Sequence, residues 1–357
     1  MNTSKITWDW GTAYDFFCSI RVLHEPGHYG LRPAWAAGVR SRVPVEYRKI
    51  LEQVQSFIFM PRKWLITLPA PKDVATVLWY LGAIPPEDRL LTMVEGSNTP
   101  EVVVDILRQV ATRGSWMTQD QESLREAYQP EKTPPRPKIM ASMLDLFAQA
   151  AISGEQYLSA LTAYQRVYFA EEEGQIRPFL ENAVTEAKEL AAQLPFEALI
   201  EALSRGVRLG EEPGYKEWFF IPSYWISPLV SFNRVNGDRA IFMFGARPPE
   251  ASLVPGDVVP ERMLRVFKTL GDPTRLRILK YLSQENIPPA EIARRLRLRV
   301  PTVTHHLNIL RLAGLVYLTL EEKDDRRYAA RMEAVDEVFI NLKNFLVEHP
   351  ESGEVVG

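Results

Sequence analysis

Residues 301–316 read PTVTHHLNILRLAGLV. Val303, Leu307 and Leu310 recur at i, i+4 and i+7, the spacing of one buried helical stripe. Gly314 follows as the C′ residue that stops the helix. With the stripe removed, Thr302, Thr304, His305, Asn308 and Arg311 remain as the polar face, and His306 lies nearer the buried side. The preceding PPAEIARRLRL (288–298) predicts a short helix with Ile292 and Leu296 inside. Two short helices about a tight turn form a helix-turn-helix, whose second member enters the major groove.

The pattern continues outward on both sides. RMLRVFKTLGDPTRLRILKYLS (262–283) predicts two helices joined at Gly271-Asp272, with Asp272 as N-cap and Pro273 at N1. Leu276, Leu279 and Leu282 read as its inward stripe, with Ile278 beside them. Downstream, GLVYLTLEE and RRYAARM predict two strands joined by the charged turn EKDDR, which together make a wing. Asp325 and Arg327 alternate along the extended chain and so share one side, where an Asp can orient an Arg toward a minor groove. A last helix, EAVDEVFINLKNFLVEH, carries Val335, Val338, Phe339, Leu342, Phe345 and Leu346 on one face, which a two-fold partner can bury.

LGDPTRLRILKYL, EIARRLRL and PTVTHHLNILRLAGLV, in that order and spacing, resemble the winged helix-turn-helix of the ArsR family of bacterial transcriptional regulators. The wing is also similar to that of MarR-type regulators. The resemblance covers about a quarter of the chain. It implies binding to a double-stranded DNA operator as a homodimer, through Arg299, Thr302, Thr304, His305, His306, Asn308 and Arg311 on the recognition helix and Lys323, Arg326 and Arg327 in the wing. The chain departs from small metal-sensing members. ENIPPAEIA holds no Cys, His349 stands alone near the end of the last helix, and Arg299 replaces the usual Ser cap.

Charge patterning agrees. The whole chain carries a formal net charge of −3, yet residues 261–331 hold 15 Lys and Arg against 8 Asp and Glu. A basic block within an acidic chain is the footprint of a segment that meets phosphate. A solvated, charge-rich helical surface is the plainer reading of the same block.

Most of the remaining chain reads as amphipathic helices, many opened by Pro or a capping residue. Phe16, Phe17, Ile20 and Leu23 form one buried face, and Leu51, Val54 and Ile58 another. From Tyr215 the texture becomes aromatic and β-branched, and Asn236-Gly237-Asp238 signals a hairpin. The expected architecture is mainly α: a helical sensor and dimerisation domain over 1–246 closed by a small antiparallel sheet, a Pro/Gly-rich linker over 247–259, and a winged helix-turn-helix domain over 260–350.

Residues 24–28, HEPGH, match the H-E-x-x-H pattern of zinc proteases. That chemistry needs both His on one helical face. Pro26 and Gly27 oppose a helix and instead predict a type II turn. A metal-dependent hydrolase and a protein-docking winged helix therefore stand as the alternatives to a non-enzymatic regulator. Cys18, His24 and His28 are the candidate metal ligands, read as a sensor site. Trp8, Trp10, Trp35, Trp64, Trp79 and Tyr80 are candidates for lining an effector pocket, and Arg32, Arg40 and Arg42 for holding an anionic effector. No cofactor is expected. One cysteine excludes an internal disulfide, and the absence of a long apolar run or signal pattern leads to the expectation of a cytoplasmic protein without membrane spans.

Overall fold

A computed structural model of the chain describes residues 5–29, 31, 33–58, 60–129, 134–209, 214–248, 261–320 and 326–347. Arg32, Lys323, Asp325, His349 and the expected linker from residue 249 onward lie outside the described residues. The helices are α1 (Thr12–His24), α2 (Pro33–Ser41), α3 (Val45–Gln55), α4 (Arg62–Leu65), α5 (Val74–Ala83), α6 (Pro86–Glu95), α7 (Glu101–Arg113), α8 (Thr118–Ala127), α9 (Pro137–Ala148), α10 (Ala150–Tyr164), α11 (Ala170–Gln193), α12 (Phe196–Ser204), α13 (Glu261–Leu270), α14 (Pro273–Leu282), α15 (Pro289–Leu296), α16 (Val300–Leu312) and α17 (Met332–Val347). The strands are β1 (Lys5–Trp8), β2 (Val207–Leu209), β3 (Glu217–Ser223), β4 (Ser231–Arg234), β5 (Arg239–Gly245), β6 (Val316–Leu320) and β7 (Arg326–Ala330). The architecture is mainly α, with small sheets and a C-terminal winged helix-turn-helix.

The residues divide into two compact units, Met1–Glu186 with Gly214–Ala246, and Ala187–Pro213 with Arg247–Gly357. The sequence predicts one boundary near 246; the chain also passes between units after 186 and after 213.

In the first unit α1 is buried almost all round rather than along one face, from Thr12 through Ile20 and again at Val22 and Leu23. Its polar side chains find partners inside the core. Asp15 Oδ1 accepts from Ser223 Oγ at 2.7 Å and from the Trp225 amide at 2.8 Å. Ser19 Oγ lies 2.8 Å from the Tyr164 hydroxyl. The sheet runs β1-β3-β5-β4. The Asn236-Gly237-Asp238 turn joins the antiparallel pair β4–β5 as expected. The sheet as a whole is mixed, however, and corrects the antiparallel expectation, because β1, β3 and β5 are parallel. Residues 224–230 carry the chain past the site of β5 to the outer edge, so β5 returns beside β3 in the same direction. Five consecutive residues of β5, Ala240 to Phe244, are buried. A strand covered on both faces shows no alternation to read.

Residues 24–28 are a turn, and its type differs from expectation. α1 ends at His24, and Pro26–Tyr29 form one 3₁₀ turn. Gly27 is not among the residues with positive φ, as a type II turn would require.

The second unit has an almost wholly aliphatic core. Val266, Ile278, Leu279, Leu282, Ile292, Val303, Leu307, Leu310, Leu315 and Leu318 pack together with Tyr328. Leu276 does not join them and is 49% exposed, so the stripe of α14 is Ile278, Leu279 and Leu282. Asp272 caps α14 by accepting from the Arg275 amide at 2.9 Å. α16 ends as anticipated. Gly314 has φ +72°, its N–H donates to Arg311 O, and the Leu315 N–H reaches back to Leu310 O at 3.0 Å. That is the double bond of a Schellman stop.

Candidate nucleic-acid interface

α15 and α16 meet across residues 297–299, where Arg297 takes φ +54°. The amide of Leu298 donates to Ala293 O at 2.9 Å, which closes α15 without a glycine. Arg299 then starts α16 with φ −77° and ψ 144° and no side-chain cap. Its missing cap leaves first-turn N–H groups facing outward, and such groups favour anions.

Residues three apart on a helix are surface neighbours. Arg299, Thr302 and His305 accordingly form one exposed row, and Asn308, half-buried, continues it. Thr304 is partly turned aside, because its hydroxyl donates to Val300 O at 3.0 Å. His306 is half-buried against the start of α14, near Asp272 and Arg275, and burial lowers its pKa. Its Nδ1 is buried without a hydrogen-bond partner. Arg311 is also tucked in. It stands near Tyr328 and Arg326 of β7, and burial lowers its pKa. The structure therefore brings Arg299, Thr302, His305 and Asn308 together, and sets His306 and Arg311 behind them.

β6 and β7 pair antiparallel, with Leu320 opposite Arg326 and Thr319 opposite Arg327. Arg326 is exposed and Arg327 half-buried at the end of the hairpin. Part of the basic block is neutralised in place. Glu291 accepts from both Arg294 and Arg295, which hold its carboxyl down to about 2, and Glu285 also pairs with Arg295. Arg262 pairs with Glu337 and Arg331 with Glu333. Arg297, Arg299 and Arg326 are exposed and form no ion pair with a described residue. Arg297 was not singled out in the sequence. Its signal was position alone, as a basic residue in the turn of the helix-turn-helix.

The candidates in the first unit fare differently. Among the described residues no three His, Cys, Asp or Glu groups lie together as a metal ion needs. Cys18 is fully buried, which pushes its thiol pKa up. His24 holds Ile20 O through Nδ1 at 2.7 Å, whereas His28 is exposed beside the Tyr29 ring. The candidate ligands Cys18, His24 and His28 thus do not come together. Trp79 is 67% exposed, Trp35 stacks on Trp225 at 5.6 Å, and Trp8 meets Phe220 edge-on. Trp10, Trp64 and Tyr80 are half-buried. The fully buried tryptophans, Trp218 and Trp225, are others. Arg40 donates to Leu23 O, and Arg42 is exposed. A cavity lined by Ile20, Leu23, His24, Arg40, Val43, Arg48, Leu51 and Tyr164 has room for about one water. No helix of the described residues is long and apolar enough to cross a membrane.

Residues 270–318 match a family described as a helix-turn-helix domain. An uncharacterized HTH-type transcriptional regulator of Methanocaldococcus jannaschii is 46% identical over 57 residues, which are 16% of this chain and 64% of that protein. The transcriptional repressor SdpR of Bacillus subtilis is 39% identical over 54 residues, 15% of this chain and 60% of SdpR. The chain thus spans under two thirds of the length of either relative, and the likeness is confined to a small part of its own length.

Proposed function

We propose that the protein is a sequence-specific, double-stranded-DNA-binding transcriptional regulator of ArsR-like type. One observation carries the reading: the exposed row Arg299, Thr302 and His305 on the second helix of a helix-turn-helix, with Arg326 exposed on the adjoining wing. Arg supplies phosphate or guanine contacts, and Thr and His supply hydrogen bonds to base edges or phosphates. Lys323 and Arg327 are assigned to the same wing contact. Thr304, His306 and Arg311 are assigned a supporting part, setting the row's orientation.

The protein acts as a homodimer in this reading, with two recognition helices in successive major grooves roughly 34 Å apart. The exposed Phe339, Ile340 and Leu346 of α17 supply apolar surface for such pairing. The first unit answers to a small-molecule effector, and operator occupancy represses. The likeness to SdpR, a transcriptional repressor, supports repression over activation. The cytoplasm is the proposed compartment, and no catalytic role is assigned.

The test selects duplexes from a random-sequence pool with the full chain and measures affinity against salt. The logarithm of affinity should fall linearly with the logarithm of salt concentration, and Arg299→Ala and Arg326→Ala should each reduce the slope by about one. Affinity that ignores salt, or is untouched by both substitutions, overturns the assignment.

A further inference from the structure

The wing sheet is wider than its hairpin. β2 adds in parallel along the free side of β6, pairing Val207 with Leu318, Arg208 with Thr319 and Leu209 with Leu320. The Leu318 N–H donates to Gly206 O at 3.1 Å. On the other side the hairpin is bridged to Ile287, so β6–β7 is held from both edges.

A side-chain interlock surrounds the added strand. The Arg208 guanidinium lies 3.8 Å from the Tyr317 ring centroid, and that of Arg331 lies 5.8 Å from it. Such contacts are attractive through the ring quadrupole. Arg208 is itself aimed by two 2.9 Å hydrogen bonds to Glu201 of α12. Arg331 Nη1 donates to Arg205 O at 2.9 Å, and the Tyr317 hydroxyl donates to Glu333. Gly206 has φ +117°, and a Cβ there would stand 3.0 Å from the Tyr317 ring. Glycine is therefore required on both conformational and steric grounds.

β2 stands outside the aliphatic core cluster of the helix-turn-helix, which runs from Val266 to Val338. The three residues of β2, with Arg331, Tyr317 and a required glycine, are instead gathered on one side of the wing.

We infer that β2 is the seat of the wing. It sets the pitch of β6–β7, so that Arg326 meets the DNA flanking the major-groove site. Gly206, Arg208, Tyr317 and Arg331 are its positioning residues, and none needs to touch DNA. α12 feeds β2 directly, so the wing's setting depends on a segment outside the helix-turn-helix. The inference rests on the DNA-binding reading above.

The experiment uses the full chain and two duplexes: one selected from a random pool, and the same one shortened to the base pairs that the recognition helices cover. The wild type should bind the longer duplex about tenfold more tightly through the wing contacts. Gly206→Val, and separately the milder Arg208→Ala at an exposed position, should lose most of that gain while binding the short duplex like the wild type. Hydrogen exchange at the Leu318 amide should speed up in Gly206→Val, while α16 amides keep their protection. A flank gain equal to the wild type's in both variants overturns the seat. Equal losses on both duplexes overturn it too, because they show a general structural role. A wild type that binds neither duplex overturns the regulator reading itself.

Discussion

The two units solve the same problem, closing a core, with opposite materials. The first buries Asp15, Arg62, Lys72, Arg89, Thr12 and Gln55 among fully buried Trp218, Trp225, Tyr14, Phe16 and Phe17. The second packs aliphatic side chains around one buried ring among the described residues, Tyr328, and pairs Glu291 and Glu285 with arginines at its surface. A buried polar group must be matched by a partner of fixed geometry, often from a distant element. An aliphatic stripe needs only volume and pattern. The first unit is therefore specified by pairs, and the second by periodicity.

The sharpest way to break that contrast is to remove one member of each kind. Leu307→Ala should lower the stability of the second unit by about 2–5 kcal/mol, the cost of a cavity in a close-packed aliphatic core. Asp15→Ala should cost the first unit about 2–4 kcal/mol, because the Ser223 hydroxyl and the Trp225 amide are left as buried donors without an acceptor. Asp15→Asn, which keeps an acceptor, should recover part of the loss. Denaturant unfolding followed by hydrogen exchange in each unit separates the two effects. If Asp15→Asn costs as much as Asp15→Ala, the carboxylate's charge matters rather than its hydrogen bonds, and the pairing account fails.

A smaller effect tests the surface of the second unit. Asp272→Ala removes the N-cap of α14 and should cost about 1 kcal/mol in thermal unfolding. An unchanged midpoint would show that the Pro273 start suffices alone.

The smallest effect is a pH dependence confined to α15. Glu291 is held from its ordinary 4.5 down to about 2 by hydrogen bonds to Arg294 and Arg295. A carboxylate with a depressed folded pKa stabilises fully above its unfolded value and loses that contribution as pH falls through the folded value. Protection of α15 amides should therefore decline between about pH 4.5 and 2, and Glu291→Gln should reduce the decline, leaving the part due to Glu285 on Arg295. Exposed pairs contribute little, so the change should be slight.

The same contrast explains what could be read beforehand. The helix-turn-helix was legible because Val303, Leu307, Leu310, Asp272 and Gly314 are local signals, each acting within one or two turns of helix. Leu276 misled because its spacing fitted as well as that of Ile278, and only the packing of neighbouring elements decides between them. Of the recognition face, Thr302, His305 and Asn308 followed from subtraction of the buried stripe, and Arg299 from its place at the cap position. The inward turn of Arg311 did not, because its burial lies beside β7, a strand beyond the helix. β1 and β2 escaped notice for a related reason. Four and three residues long, they carry no pattern of their own and exist only where a distant edge accepts them.

β1 has a consequence in time. Lys5 meets Glu217, 212 positions later in the chain. The equilibrium cost of so long a closure grows only logarithmically. Synthesis is slower: at about 5–20 residues per second, the first strand waits roughly ten to forty seconds for its partner to leave the ribosome. β2 waits in turn for β6. During those intervals both strands carry open edges, and their brevity, with Lys5 on one and Arg208 on the other, leaves a neighbouring nascent chain little to pair with.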